Sequence, residues 1–215
     1  MDSPAVVPLF PLPNVLLYPD AILPLHVFEP RYVQMVEDLQ ESGNDRIALG
    51  LMRPGWEPSY FENPPVFDVA GLGRMLQCSR TSEGRFNILV QGLTRVRLVE
   101  ESPSGRLYRT VRVDELAEIP PPDSPDVAGL HQSLREGLIE FAEGSLLLSK
   151  SAPLSYLADI LIVALPLDVA HKQELFSILD VEERARRVLE CLRDINDRRR
   201  SLKAAGRRSG KMPWN

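Results

Sequence analysis

The 215-residue sequence has only two cysteines, Cys78 and Cys191, far apart and without metal-ligand spacing. Neither a disulfide framework nor a cysteine-based zinc site is therefore expected to organise the chain. No long uninterrupted apolar run is present, so no membrane-spanning segment is expected. The apolar start is broken by prolines and lacks a secretory core, which makes a reduced, cytoplasmic protein the expectation. Basic excess is missing too: the formal net charge is −5, which disfavours a dedicated nucleic-acid binder.

Catalytic motifs are also lacking. Gly71 and Gly73 have neither the longer glycine pattern nor the lysine of a phosphate loop. No serine sits in a nucleophile elbow or has a motif-supported lysine or histidine partner. His26, His131 and His171 do not fall at metal-ligand spacing, and Glu29, Asp68 and Glu100 are too scattered to mark an acid/base pair. Cys78 and Cys191 read as small structural hydrophobes. No catalytic residue, metal or cofactor is assigned, and the chain reads as a non-enzyme.

Proline is what the chain has in excess. Nineteen prolines cluster in residues 4–30, 54–65 and 120–125. With 44% hydrophobic and 26% charged residues the composition is that of a globular protein rather than a disordered one. Residues 6–28 read as strand, turn and strand with Asn14 and Asp20 as turn residues. Pro30 starts a helix of about three turns whose Val33, Val36 and Leu39 share a face, and Ser42-Gly43 ends it. Arg46–Met52 reads as a strand, residues 53–65 as an aromatic loop, and Val66–Ser79 as a strand bulged or closely approached at Gly71–Gly73. After a turn at residues 81–84, the next strand places Leu93, Val96, Leu98 and Val99 in the core only if Gly92 bends it. A last strand follows the Pro103–Gly105 turn, with Leu107, Arg109, Val111 and Val113 on one side and Tyr108, Thr110 and Arg112 on the other.

The period then changes. Residues 119–125 form a proline-rich linker, and beyond it apolar residues recur at helical spacing: Val127, Leu130, Leu134, Leu138 and Phe141, then Leu154, Leu157, Leu161 and Leu165. Asp168 and Asp180 are candidate caps for helices at Val169 to about Leu179 and from Val181 onward. The fold expected is α+β: a β-barrel over residues 1–118 with one embedded helix, a bundle of about four helices over 126–205, and a flexible basic tail over 206–215. Residues 193–211 carry eight Arg or Lys against two Asp. A solvated helix end is preferred there over a nucleic-acid contact.

A family resemblance rests on particular residues. Leu9-Phe10-Pro11-Leu12, Val15-Leu16-Leu17-Tyr18-Pro19 and Leu23-Pro24-Leu25-His26-Val27-Phe28-Glu29-Pro30-Arg31-Tyr32 closely resemble the N-terminal, substrate-binding domain of the ATP-dependent protease Lon. Ile47–Pro54, Gly71–Arg74, Phe86–Val96, Leu157-Ala158-Asp159 and Val181–Leu192 extend the likeness across residues 6–195. The resemblance implies a PUA-like barrel followed by helices, engaging substrates or adaptors and contributing to oligomer assembly. The phosphate loop and Ser–Lys dyad of that protease have no counterpart here, so a stand-alone member is expected.

The function expected is a non-enzymatic module binding unfolded or flexible polypeptide, or a protease or chaperone component, as a monomer or weak dimer. Alternatives are an RNA-binding PUA-like module, against which the scattered Arg95, Arg97, Arg109 and Arg112 weigh, and a small-molecule site beside Gly71–Gly73 and Gln91–Gly92. Candidate binding residues are Phe28, Glu29, Arg31 and Tyr32 at the strand-to-helix junction, and Trp56, Tyr60 and Phe61 in the loop. The junction has a structural reading beside the functional one: Phe28 plugs the core, where truncation costs about 3–5 kcal/mol, and Arg31 pairs with a carboxylate or carbonyl.

Overall fold

Two prolines lie inside the first strand, β1 (Ala5–Leu12), and its pairing explains how. β1 lies antiparallel to β6 (Arg109–Leu116) over Ala5–Leu9 and parallel to β3 (Arg46–Leu51) over Leu9–Leu12. Pro8 and Pro11 therefore each have a strand neighbour on one side only, where a missing N–H is tolerated. The computed structural model describes residues 5–102, 105–142, 148–149 and 151–209, with Ala5 and residues 202–209 described by backbone alone.

The remaining strands are β2 (Ile22–Val27), β4 (Val69–Arg80) and β5 (Phe86–Ser102). Together the six form one mixed sheet in the order β2-β5-β4-β3-β1-β6, with β5 also pairing β6. That last pairing joins β5, β4, β3, β1 and β6 into a ring, leaving β2 attached outside it on β5. β5 can serve both partners because its halves differ: Phe86–Gln91 pairs β2, and Arg95–Ser102 pairs β6. The change occurs around Gly92, where a Cβ would lie 1.9 Å from the Tyr18 carbonyl oxygen. Register shifts at Leu72/Gly73 and Met75/Gln77 bend β4 alongside.

Helix α1 (Pro30–Ser42) lies between β2 and β3 in the chain. Its Pro30 stands in the first turn and Gly43, at φ 67°, closes it. Tyr32, Met35, Val36 and Leu39 bury against Phe10, Leu17, Ile47, Leu49, Phe86, Ile88 and Val90. A second cluster gathers Val7, Leu9, Ala48, Ala70, Leu72, Val96, Val111 and Val113.

Three expectations about the strands fail. Leu93 and Val99 are exposed rather than in the core, because the bend at Gly92 and the shift at Leu98/Glu100 reset the alternation. Leu107 precedes β6 and is exposed, so it does not share the face of Val111 and Val113. Tyr108 and Thr110, on the supposed outer side, are buried: Tyr108 donates its hydroxyl to Asp38 (2.8 Å) and Thr110 to the Ser102 carbonyl (2.8 Å). Of the turn expected at Pro103–Gly105, only Gly105 lies within the described residues.

The chain divides into two compact units, Met1–Ala117 with Val169–Gln173, and Glu118–Asp168 with Glu174–Asn215. The second is built on α2 (Pro125–Phe141), α3 (Leu154–Ala164) and α5 (Val181–Ser209), which contact one another. Ser124 caps α2 by accepting from the Val127 N–H (3.3 Å), and Asp180 caps α5 by accepting from the Glu183 N–H (2.9 Å). α4 (Val169–Phe176) ends three residues earlier than its apolar pattern suggests. Ile119 explains the stop: its N–H bonds the Leu179 carbonyl (3.0 Å) and its carbonyl accepts from Val181 (3.1 Å), drawing that segment out of the helix. α5 continues through Ser209, so residues 206–209 are helical backbone, and the rest of the expected tail lies outside the described residues.

Candidate functional site

β2 alternates, and that alternation decides what its end presents. Leu23, Leu25 and Val27 turn towards the core cluster, while Ile22, Pro24 and His26 are exposed. Phe28 continues the outward series and is 58% exposed, so it does not plug the core. Val27 and Tyr32 fill that role, the Tyr32 ring lying 4.3 Å from that of Phe10. Phe28 instead lies beside the His26 ring at 6.0 Å, and His26 Nδ1 is 2.7 Å from Asn87 Oδ1. Strand spacing of two was the available signal for the His26–Phe28 pair, which the sequence reading did not single out.

Glu29 follows in extended conformation, and Pro30 then forces the helix start. The Glu29 carboxylate accepts from the Tyr60 hydroxyl (2.6 Å) and from Arg31 Nε (3.0 Å). Arg31 in turn donates to the carbonyls of Tyr60 (2.8 Å) and Glu62 (3.2 Å), with its guanidinium 4.7 Å from the Tyr32 ring centre. Arg31 thus pairs with a carboxylate and two carbonyls together. Burial pushes the Tyr32 phenol up to about 12, with Arg31 opposing. Tyr60 is also raised, chiefly because Glu29 accepts its proton.

This clasp holds the loop of residues 56–62 against the β2–α1 junction. Within the loop, the short 3₁₀ turn Glu57–Ser59 lets Trp56 lie 5.4 Å from Tyr60, and Phe61 meets Tyr60 edge-on at 5.0 Å. Trp56 and Tyr60 are half-buried, whereas Phe61 is 86% exposed. Of the seven residues proposed from sequence, the clasp joins Glu29, Arg31, Tyr32 and Tyr60, with Trp56 and Phe61 packed on Tyr60 and Phe28 next to Glu29. Removing the phenol tests it: Tyr60→Phe is expected to speed hydrogen exchange at the Ser59, Tyr60 and Glu62 amides without altering exchange in β5.

The glycines considered for a small-molecule site do not open one. Leu17 and Tyr18 lie directly over them: a Cβ at Gly71 would stand 2.2 Å from the Leu17 carbonyl oxygen, and one at Gly73 2.6 Å from Leu17 Cδ2. Among the described residues, no group of three or more His, Cys, Asp and Glu could hold a metal ion, and no helix is long and apolar enough to cross a membrane.

Residues 6–194 match the family described as the ATP-dependent protease La (LON) substrate-binding domain. The chain belongs to this family. Similar curated proteins are the Lon protease of Anaeromyxobacter dehalogenans (25% identical, over 96% of this chain and 25% of that protein) and Lon protease 2 of Sorangium cellulosum (29%, over 85% and 24%). The chain thus spans about a quarter of the length of these Lon relatives. Two solved structures share its fold. The N-terminal domain of Mycobacterium avium complex Lon protease aligns with a TM-score of 0.68 at 20% identity, covering 88% of this chain and 99% of the other. A Lon N-terminal domain protein from Xanthomonas campestris aligns at 0.63 and 22% identity, covering 86% and 98%.

Proposed function

We propose that this LON substrate-binding domain chain is a non-enzymatic module that binds unfolded or flexible polypeptide, in the service of ATP-dependent proteolysis. Its ring of strands with α1 is read as a PUA-like barrel. The observation that carries the binding function is the pair of exposed aromatics, Phe28 and Phe61, flanking the Glu29–Tyr60 hydrogen bond. Large apolar side chains held outward on a fixed support favour a partner's apolar side chains over water. A shallow depression of about 420 Å³ on the outer face of β2 and β5, lined in part by Pro24, His26, Asn87 and Leu89, continues from His26 beside Phe28.

The RNA-binding alternative finds less support. Arg95 is buried, Arg109 pairs with Glu101 and Arg112 lies 3.8 Å from Glu100, leaving Arg97 exposed among the four strand arginines.

Phe28→Ala separates binding from folding. Stability is expected to change by about 0.5 kcal/mol or less, as for a surface substitution. Affinity for a permanently unfolded, carboxymethylated protein is expected to fall about tenfold. Fluorescence anisotropy against a folded control reads the binding, and urea unfolding the stability. Unaltered affinity in both Phe28→Ala and Phe61→Ala, or no binding above the folded control, overturns the proposal.

A further inference from the structure

We infer that the aromatic rim selects polypeptide segments whose apolar residues are flanked by lysine or arginine, with Glu57 and Glu62 as the specificity-determining carboxylates. This inference rests on the peptide-binding reading and names the chemistry of its ligand.

Charge at the rim is unbalanced in one direction. Three arginines reach the loop or its flanks, and each is matched by a carboxylate: Arg31 by Glu29 (2.9 Å), Arg53 by Asp68 (2.8 Å) and Arg109 by Glu101. Each also holds backbone: Arg31 the Tyr60 and Glu62 carbonyls, Arg53 that of Val66 (2.8 Å), and Arg109 that of Pro64 (2.7 Å). Between Pro54 and Pro65 the only charged residues are Glu57 and Glu62, both exposed. Glu57 directly follows Trp56, and Glu62 directly follows Phe61.

Glu57 and Glu62, which make no ion pair among the described residues, are therefore each the chain neighbour of an aromatic residue, with adjacent Cα atoms about 3.8 Å apart. An incoming side chain that packs on Phe61 or Trp56 brings its sequence neighbours within reach of Glu62 or Glu57. A lysine or arginine there gains the carboxylate and the aromatic face together. The clasp already contains one such cation–aromatic contact, the Arg31 guanidinium lying 5.5 Å from the Tyr60 ring centre. An aspartate or glutamate in the same place meets two like charges on a chain that is itself acidic, with a formal charge of −5.

Exposed ion pairs are weak, each changing affinity by about two- to fivefold. Two acting together give a Lys-flanked peptide an advantage of about 4- to 25-fold over a neutral one, fading as salt screens them.

The test uses three labelled peptides with one common aromatic core and flanks of lysine, glutamine or glutamate, titrated with the full chain by anisotropy. The expected order is Lys tighter than Gln tighter than Glu, compressed by added salt. In the Glu57→Gln/Glu62→Gln double variant the series should flatten while affinity for the Gln-flanked peptide is kept. Binding of the Gln-flanked peptide with a flat series in the parent protein, or a series unmoved by the double variant, overturns this inference alone. Failure of all three peptides to bind overturns the peptide-binding reading and this inference with it.

Discussion

Arg184→Ala is expected to lower the unfolding free energy of the helical unit by about 3–5 kcal/mol. Arg184 is 0% exposed in α5. Its guanidinium donates to the Ile178 carbonyl (2.6 Å), lies 3.2 Å from Asp159 Oδ1 in α3, and pairs with Glu118 at the start of the unit. One buried cation therefore joins two helices, the segment between α4 and α5, and the chain entering the unit. Truncation takes the Arg184 cation away from the Asp159 carboxylate, which is only 7% exposed. Glu118, at 31%, has access to water and suffers less. Urea unfolding followed by far-ultraviolet circular dichroism measures the loss. The double variant Arg184→Met/Asp159→Leu removes both charges and should recover most of it. A single-variant cost below about 1 kcal/mol would show that the cluster carries little stability.

Gly92→Ala is the second large effect, with an expected loss of about 3 kcal/mol or more. Its Cβ would stand 1.9 Å from the Tyr18 oxygen and 2.8 Å from the Tyr18 carbonyl carbon, so backbone has to move. That backbone cannot move alone. The Gly92 N–H donates to the Ala21 carbonyl (2.8 Å), and the Gly92 carbonyl accepts from Asp20 (3.0 Å), tying the Leu17–Ala21 segment to β5 at the bend. Relieving the clash breaks these bonds and lifts the buried Leu17 from the core. Denaturant midpoints measure the cost; a loss below about 1 kcal/mol would mean that the Leu17–Ala21 segment yields without penalty.

The contrast between Phe28 and Arg184 explains what a linear reading misses. Phe28 reads as core because aromatic residues usually bury, yet strand alternation after Val27 turns it outward. Arg184, which the sequence does not mark, is fully buried because Asp159 and Glu118 come to it from elsewhere in the chain. The family likeness did include both Leu157-Ala158-Asp159 and Val181–Leu192, without revealing that an ion pair joins them. The clasp is similar: Glu29 and Arg31 were singled out together, but their bonds to Tyr60 and Glu62 span about thirty residues.

By itself the sequence determined the elements with local causes. Pro30 and Gly43 bound α1, Asp180 caps α5, and the leucines of α3 bury as their spacing requires. Proline geometry, backbone capping and apolar periodicity act over a few residues, so they are written in the order of the chain. Tertiary structure alone decided the bend partner of Gly92, the burial of Arg184 and the outward aromatic rim on the Glu29–Arg31–Tyr60 clasp. Each depends on atoms brought together from distant segments, where packing and charge desolvation override local preference.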